Sequence, residues 1–403
     1  MKAITNARVV TTDGIIWDGV ILIENDRIAA VGKKSEIEIP SDAEIIDACG
    51  TYVGPGFVDI HVHGGGGFHF EENPVIAAEH FLNHGETTVL ATLSPRLNFE
   101  ALLDGIKTIK KNMAVTKNIR GIYMEGPYIN PDYGANSHIN PWRHPIKSDE
   151  YKPLVEEAGE IVKVWAVAPE REGLVEFMKY ARKVNPNVKF ALGHSEASIE
   201  EIQSLGIYTP TIMTHVTNAT GPNSWRGVRK CGPDEYALYT SDMYCEMICD
   251  SCAIHVAPFM QRFVLKNKGL DKIMLITDST AHKNPSPEKY SHITDLNFDP
   301  KGGLSGSKLT MDMACRNIMT HTNCGIAQAF LMASTNPSKA IGMDDEIGSI
   351  EAGKRADFVF TDDMFNVKKV ILGGELVNVN DTNSSCRKGF SSWLGTVNAL
   401  YDR

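Results

Sequence analysis

Short apolar runs alternate with helically spaced stretches through the middle of the chain, from about residue 54 to about residue 340. The runs predict strands at Phe57–His63, Thr87–Leu93, Ile119–Glu125, Ile161–Ala168, Val188–His194, Ile212–His215, Tyr244–Asp250 and Lys272–Asp278. Strands separated by helices build a parallel sheet, because a parallel connection needs a crossover. Eight such units over about 280 residues is the count of a (β/α)8 barrel. An open doubly wound sheet is the competing arrangement, but the first βα junction carries no G-x-G-x-x-G run.

The two ends of the chain have a different pattern. Residues 1–53 break into short strands at Ala3–Thr11, Gly19–Asn25, Arg27–Gly32 and Ala43–Asp47, with turn signals at Thr12-Asp13-Gly14 and Asn25-Asp26. Residues beyond 345 return to β character at Arg355–Thr361 and Lys368–Leu372. The expected organisation is therefore α/β: a barrel over 54–344 beside a small β-sandwich built from both chain ends, 1–53 and 345–403. Chain termini commonly lie close together, which favours that pairing.

Charge and composition narrow the function classes. Lys+Arg 40 against Asp+Glu 50 gives a net charge of −10, which disfavours a nucleic-acid or membrane-surface binder. No apolar run approaches the ~18 residues of a membrane span. The opening MKAITNARVV lacks the apolar core of a signal peptide, and eight cysteines are scattered without a disulfide framework. A cytoplasmic location is expected.

The candidate chemistry gathers at the ends of the predicted strands. Strand one ends Asp59-Ile60-His61-Val62-His63, strand three Met124-Glu125, strand five Gly193-His194, strand six Thr214-His215, and strand eight Thr277-Asp278. In a barrel these ends converge on one mouth. His61 and His63 point to the same side of their strand, which suits two ligands of one metal or a hydrogen-bonded histidine pair. Four imidazoles and two carboxylates crowded into one mouth would repel or stay unpaired without an organising cation. Zn²⁺ or another divalent first-row ion suits these donors.

Other motifs have plainer readings. Cys245, Cys249 and Cys252 have the spacing of an iron–sulfur motif, but lie on the seventh strand, where small apolar packing is the better account. Gly193-His194-Ser195-Glu196-Ala197 resembles a nucleophile elbow, with Ser195 equally suited to cap the next helix. His80 and His84 share a helix face as surface or packing residues. The Gly64–Gly67 run is expected to be a flexible loop beside the metal.

Pro55-Gly56-Phe57-Val58-Asp59-Ile60-His61-Val62-His63-Gly64 resembles the opening signature of the amidohydrolase superfamily. Tyr123-Met124-Glu125-Gly126-Pro127, Gly193-His194-Ser195, Thr214-His215 with Asn218-Ala219, and Thr277-Asp278 resemble the N-acetylglucosamine-6-phosphate deacetylase family within it. The later segments from Gly306 and from Glu346 extend the resemblance over nearly the whole chain. It implies a metal-dependent amide hydrolase acting on an amino-sugar phosphate, with Glu125, His194 and His215 on the catalytic metal. His61 and His63 would serve a second ion, so one or two ions per chain are implied, Zn most naturally and Fe, Mn or Co as alternatives. Asp278 would move the protons and also belong to the metal group.

The resemblance further implies Asn218 and Ala219 as substrate contacts, Arg226 on the sugar phosphate from the neighbouring subunit of a homodimer, and His255 on the phosphate side. Where the family has Gly-Ala-His, this chain reads Gly134-Ala135-Asn136-Ser137-His138, so Asn136 or His138 would take that histidine's place. N-acetylgalactosamine 6-phosphate is the alternative substrate, and a non-catalytic scaffold the alternative class.

Overall fold

The computed structural model describes residues 1–135, 137–221, 224–225, 228–281 and 284–377. Its centre is a parallel sheet of eight strands in sequential order: β1 (Phe57–Val62), β2 (Glu86–Leu93), β3 (Ile119–Met124), β4 (Val162–Val167), β5 (Lys189–Leu192), β6 (Ile212–Met213), β7 (Tyr244–Ile248) and β8 (Ile273–Ile276). After them, in turn, come α1 (Pro74–Asn83), α2 (Phe99–Thr116), α3 (Ser148–Ala158), α4 (Leu174–Val184), α5 (Ile199–Ser204), α6 (Pro233–Tyr239), α7 (Pro258–Lys268) and α8 (Met311–Thr322). The helices show why they cover the sheet. In α4, Leu174, Phe177, Met178 and Ala181 are buried at helical spacing, while Lys179 and Lys183 on the other faces are exposed.

The sheet closes where the chemistry is. The Asp278 amide donates to the His61 carbonyl (2.9 Å), the His63 amide to the Ser279 carbonyl (2.8 Å), and the Thr277 hydroxyl to Asp59 Oδ2 (2.5 Å). These bonds join the last strand to the first at the barrel mouth.

The two chain ends meet as expected, but as one continuous mixed sheet of eight strands. Lys2–Thr11 pairs antiparallel with Gly14–Glu24, and Tyr52–Pro55 pairs with both Lys2–Thr11 and Phe358–Thr361. Lys2–Thr11 divides its second edge. Its start pairs with Glu44–Asp47 and its end with Tyr52–Val53, so the sheet splays around its own core. Ile4, Ile21, Ile28 and Val53 from the first end pack with Phe358, Phe360 and Ile371 from the other. Tyr52–Pro55 then runs through Gly56 straight into β1, which seats the sheet beside the barrel.

The predicted strands run on into their polar ends, whereas β5, β6 and β8 stop short of them. His194, His215 and Asp278 lie just beyond, with left-handed backbones at φ 47°, 25° and 48°. Side chains with a Cβ rarely adopt that region, and here the turn swings each functional group off the sheet wall into the mouth.

Candidate metal centre

Six side chains from five strands converge at the mouth, and each is almost fully buried. Glu125 stands at the centre. Its Oε1 is 2.9 Å from His194 Nε2, 3.4 Å from His215 Nε2 and 3.5 Å from His61 Nε2. Its Oε2 is 3.1 Å from His63 Nε2, which is in turn 3.4 Å from Asp278 Oδ1. The donors form two overlapping groups, His61–His63–Glu125–Asp278 and Glu125–His194–His215, each with its ligand atoms within 4.8 Å of one another.

These contacts fit a cation better than a hydrogen-bond network. His194 Nε2 and His215 Nε2 face each other at 3.0 Å, where one shared N–H could bridge them without an ion and two lone pairs could converge on a cation. His61 Nε2 is buried with no hydrogen-bond partner. Neighbouring ligand atoms around tetrahedral Zn²⁺ are about 3.3 Å apart, given Zn–N distances of ~2.0–2.1 Å, and the observed spacings bracket that value.

The outer bonds orient the rings. His194 Nδ1 lies 3.3 Å from the Tyr133 carbonyl, which turns its Nε2 lone pair inward. His61 Nδ1 lies 2.9 Å from Glu246 Oε2, the same oxygen that accepts the His215 amide at 3.1 Å. Tyr123 stacks on His61 with centroids 4.5 Å apart, and its hydroxyl is 2.9 Å from Thr214 Oγ1.

Sequence reasoning missed Glu246. The available signal was a charge inside the apolar strand β7, but its partner His61 lies 185 positions earlier. A carboxylate that holds a ligating imidazole typically controls metal affinity by ~10–100-fold. Glu246→Gln is therefore expected to weaken metal binding by that factor at the group containing His61, as read by isothermal titration, while the fold persists.

Charge balance in the metal-free site has a direct consequence. Burial alone would raise the Glu125 carboxyl, but the His63 charge and the His194, His215 and His61 imidazoles that face it hold it well below the ordinary range. Asp278 is lowered in the same way, chiefly by His63 and His61 acting against burial. Burial lowers His63, yet the Glu125 and Asp278 carboxylates outweigh it and lift the imidazole to about 9. Below that pH the site carries a proton where a cation would sit. Metal uptake at pH 7.5 should release about one proton or more per chain, with affinity falling as pH falls. A pH-stat titration of the metal-free protein with Zn²⁺ checks this, and uptake without proton release would contradict it.

A cavity of about 320 Å³ opens above the centre. Asn218, Ala219 and His255 line it together with His63, Glu125 and Asp278. His255 is braced by Asp250, whose Oδ2 is 3.0 Å from the ring Nδ1, so its Nε2 is buried without a hydrogen-bond partner. His138 does not join them. It is exposed on the turn Ser137–Ile139, with Nε2 3.5 Å from Lys301 Nζ. Asn136 and Arg226 lie outside the described residues.

Two lesser readings change, and two hold. Ser195 does not cap α5: its hydroxyl donates to Glu170 (2.7 Å), and Ser198 forms the capping box with Glu201. The glycine run is not a loose loop at its start. Gly64–Gly65 pairs with Phe68–His69, and a Cβ on Gly65 would stand 2.4 Å from the His80 ring. His80 packs there, while His84 pairs with Asp312 at 3.3 Å. Cys245 and Cys249 are both buried, Cys249 with its Sγ 3.4 Å from Gln261 Oε1, and burial pushes the Cys245 thiol up to about 12, opposite to what a thiolate ligand needs.

Residues 52–377 match the amidohydrolase family model. The chain is 27% identical over 402 residues to an N-acetylglucosamine-6-phosphate deacetylase of Bacillus subtilis, covering 94% of this chain and 97% of that one. It is also 27% identical over 388 residues to an N-acetylgalactosamine-6-phosphate deacetylase of Escherichia coli O157:H7, covering 92% and 98%. Among solved structures, an N-acetyl-D-glucosamine-6-phosphate deacetylase variant from Mycobacterium smegmatis, in complex with N-acetyl-D-glucosamine-6-phosphate, superposes with a TM-score of 0.78. Its identity is 26%, with 93% of this chain and 98% of that chain covered.

Proposed function

This chain belongs to the amidohydrolase family, and from that premise we propose that it hydrolyses the N-acetyl group of N-acetylglucosamine 6-phosphate to glucosamine 6-phosphate and acetate. The observation that carries the proposal is the convergence of four imidazoles and Asp278 on Glu125 at the floor of the cavity. Deacetylase relatives aligned over nearly the whole chain support it.

Glu125, His194 and His215 would hold the catalytic ion, and His61 and His63 would hold a second ion with Glu125 if one binds. A divalent ion there supplies a Lewis acid for the acetamide carbonyl and for the attacking water. Zinc suits the set best, and Fe, Mn or Co are compatible with the same nitrogen and oxygen donors. Asp278, ionised at neutral pH, takes the proton from the water and returns it to the departing amine. Asn218, Ala219 and His255 position the sugar phosphate. Asn136 assists at the carbonyl side, and Arg226 reaches the phosphate from the neighbouring subunit of a homodimer.

No helix among the described residues is long and apolar enough to cross a membrane. A cytoplasmic setting accords with the free thiols of seven described cysteines.

N-acetylgalactosamine 6-phosphate is a second reading, favoured by the equal identity of the N-acetylgalactosamine-6-phosphate deacetylase relative. Steady-state acetate release from both epimers decides between them. A higher kcat/KM on N-acetylglucosamine 6-phosphate supports the proposal, and a preference for the galacto epimer transfers it to the second reading.

A further inference from the structure

Arg96 is the one lysine or arginine among the described residues that line the cavity. It follows β2, whereas Asn218, Ala219 and His255 follow β6 and β7. In a closed ring of eight strands, the second and sixth face each other across the mouth. The metal ligands lie between them, so a substrate whose amide sits over Glu125 and Asp278 extends one end towards each side.

The guanidinium is held in place before any ligand arrives. Its Nε donates to Ser94 Oγ at 3.2 Å, and its backbone amide reaches the same oxygen at 3.3 Å. The turn beneath it is fixed by the Leu97 amide on the Ser94 carbonyl (3.2 Å) and by Trp142 Nε1 on the Leu97 carbonyl (2.8 Å). Gly126, directly after the central ligand Glu125, lets this turn press close: a Cβ there would stand 2.6 Å from Pro95 Cβ. A planar, oriented guanidinium at the wall of a site suits a carboxylate or phosphate.

We propose that Arg96 forms a specificity subsite for an oxyanion of the substrate, on the side of the mouth opposite Asn218, Ala219 and His255. This rests on the deacetylase reading above. With the sugar phosphate towards His255, as proposed above, the oxyanion is a carboxylate at the end of an acyl chain longer than acetyl, a second substrate class for the same amide hydrolysis.

The test compares wild type, Arg96→Gln and Arg96→Lys, loaded with Zn²⁺, on N-acetylglucosamine 6-phosphate, uncharged N-acetylglucosamine and N-succinylglucosamine. Arg96→Gln is expected to lower kcat/KM about tenfold or more on a substrate whose oxyanion it binds, the scale of a charge-assisted hydrogen bond. The uncharged sugar should stay within about twofold, and Arg96→Lys should recover part of the loss. Loss confined to the succinyl compound supports the acyl-side subsite, and loss confined to the phosphate compound overturns it. Equal loss on all three substrates, or loss on none, overturns the subsite.

Absence of wild-type turnover on every compound would instead fail the deacetylase reading. The subsite is then decided by calorimetric binding of inorganic phosphate and of succinate. Succinate binding should weaken about tenfold in Arg96→Gln, and unchanged succinate binding overturns the proposal.

Discussion

Asp278→Asn is expected to retain metal at the wild-type level while kcat falls by about three orders of magnitude, within the range for removing a general acid–base group. Asparagine keeps the shape of the side chain and one oxygen donor, and the group of Glu125, His194 and His215 does not include Asp278. What the variant loses is a carboxylate that His63 and His61 hold ionised against the pull of burial. Elemental analysis and acetate release on the same preparation separate the two effects. Turnover within tenfold of wild type would remove Asp278 from the proton transfers.

Glu125→Gln should act differently, by emptying the site. Glu125 belongs to both donor groups, and its two oxygens face all four histidines. An amide oxygen replaces one anionic donor poorly, and the amide nitrogen would point an N–H at an imidazole or at the ion. Metal retained after dialysis should drop to near background, and activity should fall by more than about a thousandfold. Added Zn²⁺ should restore little. A variant that keeps its metal and its turnover would show that Glu125 does not hold the metal.

Much of this site was legible because a barrel delivers the end of every strand to one place. Once the apolar runs at Phe57, Ile119, Val188, Ile212 and Lys272 are read as strands, His61, His63, Glu125, His194, His215 and Asp278 are brought together by topology alone. Backbone detail at those ends was not legible. The strand pattern carries His194, His215 and Asp278 along as strand residues, whereas their left-handed φ angles depend on bonds to neighbouring strands, such as Asp278 to His61.

Glu246 illustrates a second limit. Alternation along β7 places it inward, but its partners His61 and the His215 amide come from other strands, and spacing within one strand cannot reveal them. The glycine run shows a third. Gly64 and Gly65 look like a source of mobility in sequence, and are instead required by the close approach of Phe68, His69 and His80. The net charge of −10 likewise said nothing of the cavity, where Arg96 and a bound cation would set the local sign.

The most direct measurement is acetate release from N-acetylglucosamine 6-phosphate by chelator-treated protein, before and after Zn²⁺ is restored. The expected result is no release from the metal-free protein and recovery in proportion to metal bound. Release that survives complete metal removal, or fully loaded protein that frees no acetate, would contradict metal-dependent deacetylation.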